Sequence, residues 1–468
     1  MILHKKDDDS KEVGISNNSG YMSNAIDNQQ KVEVISEIVQ PAKKIEQIEI
    51  NIGNADFKKQ TTGINVVNYA NNVDKTSSKP KRNRKDKQQY TSINKWGFED
   101  AKVMQSFEQF KAKCEKSLNK DLPLKYYTKL LLSSMGYYCD IEVNMLTQSF
   151  NQKYKKEQIS DIDVLGCKIE NDLSISFVPV ECKSGEDGAL DELLKLKGIM
   201  DYLGSNKGYL VKNKIASNAR EMGENIKVST MDYSEIRQLL HNLALLDNNN
   251  DSWIEVQIEN YIKEKYIWEN AIKFTRIIEY IKNDYWHQKN YRNIQNLIFL
   301  VSSVKDTNAL ETKEGKYILL QVAKYLSLSI IQLSSYVIHK NYSNPVDKIK
   351  EYIFGGARER REKEVLFDRI NQILASQSKT SQSFEPEYTS DIIEICLRFV
   401  SAPNFAKQAP ICIENCIHSF IIESAGYDKD KIIGKFKSIT LKFAKDVIVF
   451  VCKQANLNPS IFNDILNL

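Results

Sequence analysis

The stretch from Ser160 to Lys183, SDIDVLGCKIENDLSISFVPVECK, constrains the fold more than any other part of the chain. It holds two apolar runs separated by a polar loop, the pattern of neighbouring strands, and it places charged groups where a structural strand needs none. Read with a period of two, residues 174–183 form a strand with Glu181 and Lys183 on one face and Val180 and Cys182 on the other. Ile162–Leu165 reads as a shorter strand just upstream, with Asp161 and Asp163 on one face, and Lys168–Asp172 reads as the hairpin loop. Two such strands side by side bring Asp163, Glu181 and Lys183 together.

That trio has a chemical logic. Two carboxylates bind hard divalent cations such as Mg²⁺, which prefer oxygen ligands and keep several waters for a substrate phosphate. The ion acidifies a bound water and neutralises charge on the phosphate, while a lysine orients the water or stabilises the transition state. A bare Glu-x-Lys on a strand is ordinarily a solvated face. Here the pair ends an apolar strand, and a second apolar strand with its own aspartate lies just before it. The expectation is a phosphodiester hydrolase site.

The residues Ile162-Asp163-Val164-Leu165 and Val180-Glu181-Cys182-Lys183-Ser184-Gly185 resemble the PD-(D/E)xK, restriction-endonuclease-like nuclease superfamily, especially its Mrr-type and CRISPR-associated DNase branches. The resemblance implies that Asp163 and Glu181 are the metal carboxylates, that Lys183 is the catalytic lysine and that the backbone carbonyl of Cys182 is a further metal ligand. It implies Mg²⁺ (or Mn²⁺) as cofactor and DNA as substrate, with RNA left open. Many relatives carry a glutamate on the helix before the first strand, but Leu124–Met135 contains no acidic residue. Glu115, Glu142 and Asp161 are the candidates to replace it. With none of them doing so, the site holds one metal or is idle.

Patterning around the motif supports an α/β nuclease core with αβββαβ order, a mixed sheet flanked by helices, followed by an all-α region. Phe107, Phe110 and Cys114 fit one helix face, and Pro123 opens a second helix that Gly136 stops. A strand is expected over Tyr137–Leu146, then the two site strands, then a helix over Asp187–Leu203 with Leu190, Leu193, Leu194, Met200 and Leu203 inward. Further elements are expected at Lys207–Val211, Ala216–Met222, Ile226–Ser229 and Tyr233–Leu245. The organisation reads as a disordered arm (1–95), the nuclease-like domain (96–246), a helical domain (250–375), a linker (376–390) and a helical C-terminal unit (391–468).

At 468 residues and a net charge of +4, the chain permits a nucleic-acid partner without requiring one. The arm is polar and too poor in apolar periodicity to fold alone. It ends in a basic cluster, Lys79, Lys81, Arg82, Arg84, Lys85 and Lys87, suited either to following a phosphate backbone or to serving as a solvated linker. Charged residues follow Met1-Ile2-Leu3 at once, so no secretory core is present and a cytoplasmic location is expected. The eight cysteines show no disulfide rhythm and read as reduced thiols.

Long apolar-periodic segments are expected at Ala271–Trp286, Asn293–Val304, Lys316–His339 and Val346–Phe354. Gln321, Lys324 and Gln332 interrupt Tyr317–His339, which therefore reads as a buried helix and not a membrane span. Gly355-Gly356 reads as a helix end followed by a charged helix, since the lysine and serine or threonine spacing of a phosphate loop is missing. Cys412, Cys416 and His418 lack zinc-ligand spacing. Trp286, His287, Lys289, Tyr291 and Arg292 offer a base-stacking surface or ordinary core aromatics. The helical region or the arm is the expected contact for a protein partner. A duplex cutter with one site per chain works as a homodimer, although no heptad seam is present. The alternative to an enzyme is an idle nuclease fold acting as an adaptor for nucleic acid or protein.

Overall fold

Two helices lead into the sheet, α1 (Ala101–Ser117) and α2 (Leu122–Ser134), the second with Pro123 in its first turn, where a missing N–H costs nothing. The computed structural model describes residues 101–146, 157–185, 188–246, 252–340, 344–376, 380, 383–424, 427 and 429–468. The arm 1–95, with Lys79, Lys81, Arg82, Arg84, Lys85 and Lys87, lies outside the described residues, as do residues 96–100, 377–379, 381 and 382.

Five strands follow in spatial order β1-β2-β3-β4-β5: β1 (Tyr137–Leu146), β2 (Gln158–Ile169), β3 (Ile175–Lys183), β4 (Gly208–Lys212) and β5 (Val228–Asp232). The first three are antiparallel, and β3, β4 and β5 run parallel. Parallel neighbours need a crossover, supplied here by α3 (Ala189–Leu203) and α4 (Ser217–Asn225), and α5 (Tyr233–Asn242) closes the run. Pro179 lies in β3, but the ladder to β4 starts one residue later at Val180, so the absent N–H falls where a central strand tolerates it. Gly204 ends α3 at φ 65°, a left-handed cap that a side chain would destabilise by about 1 kcal/mol.

One sheet face packs on α2 and α5: Leu131, Leu132, Ile236 and Leu240 meet Val164, Val180, Cys182 and Val211. Each fully buried aliphatic side chain of this kind contributes about 1.5–3 kcal/mol. The other face is shared. Toward β4 and β5 it carries α3 and α4 through Leu193, Leu196, Met200 and Leu210. Toward β1 and β2 it packs on the helical region that begins with α6 (Ser252–Asn270), and Tyr138, Val143, Ile162, Leu165 and Cys167 share one core cluster with Tyr285, Leu297, Tyr317 and Cys412.

At the centre of that region runs the helix Lys313–Lys340. Among the described residues it is the one helix long and apolar enough to cross a membrane, and 89% of its most apolar window is buried inside the protein. Gly355 takes the left-handed φ of 94° at a helix end, and the charged helix Ala357–Ser376 follows.

Three expectations change, and one alternative is decided. Leu190 and Leu194 are exposed on α3, which turns Leu193, Leu196, Ile199 and Met200 inward, so the stripe is narrower than the run of leucines suggested. Residues 272–287 form no single helix but short 3-10, α, π and 3-10 pieces, which lets Tyr280, Ile281 and Tyr285 all reach the core. Of the two readings of Trp286, the core aromatic holds: it packs edge-on against Phe177 and Tyr325, while His287 Nε2 bonds the Asn144 carbonyl at 2.6 Å. In the segment read as a linker, Phe384 stacks on Phe354 with centroids 4.3 Å apart and Thr389 opens a helix.

Candidate active site

Asp163 lies one step past the last β2–β3 pair, Val164↔Val180, so the strand register sets it against Glu181. On its other side β1 pairs Ile141↔Val164 and Val143↔Ile162, which sets Glu142 against Asp163. The row Glu142–Asp163–Glu181 therefore crosses three strands at one level.

The row coincides with a reversal in the pleat. Glu142 has φ 58°, a left-handed conformation that costs a non-glycine residue on the order of 1 kcal/mol. Before it, Cys139 faces the α2 side and Tyr138 the helical region; after it, Val143 and Met145 face the helical region. On β2, Ile162 joins the helical region, whereas Val164 joins the α2 side and Leu165 the helical region. Alternation thus reverses in both strands at the same step. The two-residue spacing between Asp161 and Asp163 consequently does not carry Asp161 to the site, and its carboxylate has no ion-pair partner among the described residues.

Asp163, Glu181 and Lys183 come together. The Lys183 ammonium lies 2.9 Å from Glu181 Oε1 and 3.2 Å from Asp163 Oδ2. Both carboxylate residues are 1% exposed, while the Lys183 side chain remains 27% exposed, so the cluster is reached from the lysine's side. Cys182 contributes backbone: its N–H donates to Asp163 Oδ2 at 2.8 Å. Its side chain turns into the α2 core, where Sγ donates to Thr128 Oγ1 at 3.6 Å and burial pushes the thiol pKa up.

Three further residues complete the cluster. Lys125 on α2 is buried, with Nζ 2.8 Å from Asp163 Oδ1 and 3.1 Å from Glu142 Oε1. Lys195 on α3 places Nζ 3.0 Å from Glu181 Oε1. Glu142 Oε2 accepts from Tyr261 Oη at 3.1 Å. Of the candidates to replace the missing helix glutamate, Glu142 is the one in the cluster; Glu115 is exposed on α1. The helix does send a residue to this place, but it is a lysine. Its signal was present in the sequence: Lys125 falls in a stripe with Thr128 and Leu132, all three buried.

Electrostatics follow from this alternation of charge. Burial would lower the Lys125 pKa, but Asp163 and Glu142 outweigh it and hold the ammonium above its ordinary value. Lys183 behaves likewise, with Glu181 and Asp163 overcoming desolvation. Burial, and then the charge on Asp163, raises the Glu181 carboxyl.

Asp163 and Glu181 are the two carboxylates that could hold a hard cation here. A single ammonium bridging Asp163 and Glu181 shows that both carboxylates converge on one point, within reach of one ion. The position between Asp163 and Glu142 is taken by Lys125, and among the described residues no third His, Cys, Asp or Glu joins a metal-holding group. No protein-family model matches the chain, and no curated protein or solved structure matches it.

Proposed function

We propose that the chain is a divalent-metal-dependent endonuclease hydrolysing phosphodiester bonds in DNA. The observation that carries this reading is the convergence of two buried carboxylates, Asp163 and Glu181, on the half-buried Lys183 ammonium. The order of α2, three antiparallel strands, crossover helix α3 and parallel strand β4 also agrees with the nuclease resemblance of the sequence motif.

Asp163 and Glu181 would hold one Mg²⁺ or Mn²⁺. When bound, such an ion neutralises phosphate charge and acidifies a water. The remaining work belongs to the chain. Lys183, charged and open to solvent on one side, donates to a phosphate oxygen or steadies the attacking water. Lys195, 40% exposed beside Glu181, adds positive charge where the substrate backbone arrives. Lys125 fixes the Asp163 carboxylate from behind and takes the place of a second ion. By the resemblance, the biological setting is restriction, phage defence or mobile-element turnover.

The test compares the parent protein with Lys183→Ala and Glu181→Ala on supercoiled plasmid, single-stranded DNA and RNA in Mg²⁺. Cleavage by the parent and its loss in both variants is expected; equal activity in all three would remove the catalytic assignment.

A second reading rests on charge balance. Glu142, Asp163 and Glu181 face Lys125, Lys183 and Lys195, so three carboxylates already meet three ammoniums. A nuclease-like fold kept as a nucleic-acid or protein adaptor accounts for that balance. Calorimetric titration separates the two: an adaptor takes up neither Mg²⁺ nor Mn²⁺ in a manner sensitive to Asp163→Ala.

A further inference from the structure

A cavity of about 990 Å³ lies between β1 and the helical region, walled by α2, α6 and the helices Lys313–Lys340 and Ala409–Phe420. It is at the upper end of the range for small-molecule sites, and at about 30 Å³ per water it holds far more than a few bridging solvent molecules.

Its walls hold polar groups with unmet bonding capacity. Lys324 is 5% exposed; its ion-pair partner among the described residues, Asp140 Oδ1, is 3.5 Å away and already accepts, with Oδ2, from the Tyr138 and Tyr325 hydroxyls at 2.8 Å each, and the ammonium otherwise rests over the Tyr325 and Tyr138 rings, 4.8 and 5.7 Å from their centroids. Glu264 Oε1 lies 3.8 Å from His418 Nε2, and His418 Nδ1 is buried with no hydrogen-bond partner among the described residues. Lys282 rests over the Trp268 ring at 4.7 Å from its centroid, with no carboxylate in ion-pair range among the described residues. Folded proteins seldom leave such groups unsatisfied, since each costs on the order of 1–3 kcal/mol.

Two features define what would satisfy them. Seven lysines line the cavity against five carboxylates, which favours an anion. Aromatic rings contributed by β1, α6 and the Lys313–Lys340 helix, among them Tyr138, Tyr261, Trp268 and Tyr325, favour a flat π-system. A simple anion leaves the aromatic wall unused, and a neutral ring leaves the lysines unanswered.

We propose that this cavity is a binding site for a nucleoside phosphate, with Lys324 and Lys282 meeting the phosphate and the aromatic wall meeting the base. The cavity shares Glu142 with the carboxylate row, but Asp163, Glu181 and Lys183 do not line it, and the proposal does not depend on the row's catalysing hydrolysis.

The experiment is calorimetry and thermal shift on the full chain in EDTA, with AMP, GMP, CMP and UMP, their nucleosides, and inorganic pyrophosphate. At least one mononucleotide is expected to bind one per chain and raise Tm, with its nucleoside and pyrophosphate at least tenfold weaker. Lys282→Met is expected to weaken binding at least tenfold, as is Lys324→Met if it folds, and Lys183→Ala to leave it unchanged. The proposal is overturned if no mononucleotide binds, if pyrophosphate binds as well as the nucleotide, if Lys282→Met retains full affinity, or if Lys183→Ala abolishes binding, which would assign the ligand to the carboxylate row.

Discussion

The carboxylate row and the cavity meet at Glu142, and they differ in how completely their buried polar groups are paired. In the row every carboxylate has an ammonium within 3.2 Å, and the elements that supply them are packed against one another. Around the cavity Lys129 and Glu414 also pair at 2.8 Å, but Lys324 stands 3.5 Å from Asp140, and Glu264 has the His418 ring at 3.8 Å. A charge matched by its own chain is held in one geometry, whereas one loosely matched has room to take a further partner. The difference teaches that the proposed catalytic row is closed by its own charges, whereas the proposed nucleotide cavity leaves some of its polar groups for a ligand to meet.

The strongest way to break this contrast is Lys125→Met. It strips the buried partner from Asp163 and Glu142, and urea unfolding should show a loss of about 3–5 kcal/mol, as when one member of a buried ion pair is removed. A neutral result would mean that the row is not charge-matched.

Next in size is Lys183→Ala. Lys125 and Lys195 keep both carboxylates paired, so stability should move by less than about 1 kcal/mol. Plasmid cleavage in Mg²⁺ should nonetheless fall on the order of 100-fold, which separates a chemical role for the lysine from a structural one.

The cavity offers a sharper test through pH. Burial pushes the Glu264 carboxyl up to about 7 and holds His418 down at about 4, against ordinary values of 4.5 and 6.5. Between pH 4.5 and 6.5 the folded pair keeps one proton, on Glu264, and the unfolded pair keeps one, on the histidine. The two groups therefore cancel, and the parent's stability gains no slope from them. Glu264→Gln unmasks the histidine: the unfolded state then binds the extra proton, and stability should fall by about 1–3 kcal/mol as pH drops from 6.5 toward 4. His418→Asn unmasks the carboxyl and should reverse the sign, with stability falling as pH rises from 4.5 to 7. Denaturation midpoints across this range read both slopes.

The smallest effect is expected from Lys282→Met without ligand. Among the described residues its ammonium has no carboxylate in ion-pair range, so unfolding free energy should change by less than about 1 kcal/mol. A large loss would place Lys282 in the structural framework and blur the distinction from Lys125.

Local rules made much of this architecture legible in advance. Strand β1 occupies Tyr137–Leu146 as its pattern indicates, and Pro123, Gly204 and Gly355 mark the ends they should. The meeting of Asp163, Glu181 and Lys183 followed from strand pairing alone. Lys195 was missed because its place beside Glu181 depends on how the crossover helix is rotated, which its many leucines obscured. The left-handed Glu142 carries no glycine or asparagine to announce it. The cavity could not be foreseen, because its walls come from elements as far apart in sequence as Tyr138 and His418, and only tertiary packing brings them together.

The reversal of alternation at Glu142 and Asp163 has a consequence for how securely the site is built. In an ordinary ribbon, a slip of one residue exchanges inside for outside along the whole length, and a second slip restores it. Here the two halves of β1 and β2 run out of phase, so sliding either strand also carries the reversal point away from its counterpart. Any slip then forces apolar side chains off one core or charged ones into it. The acidic row thereby serves as an index mark that permits these strands a single alignment.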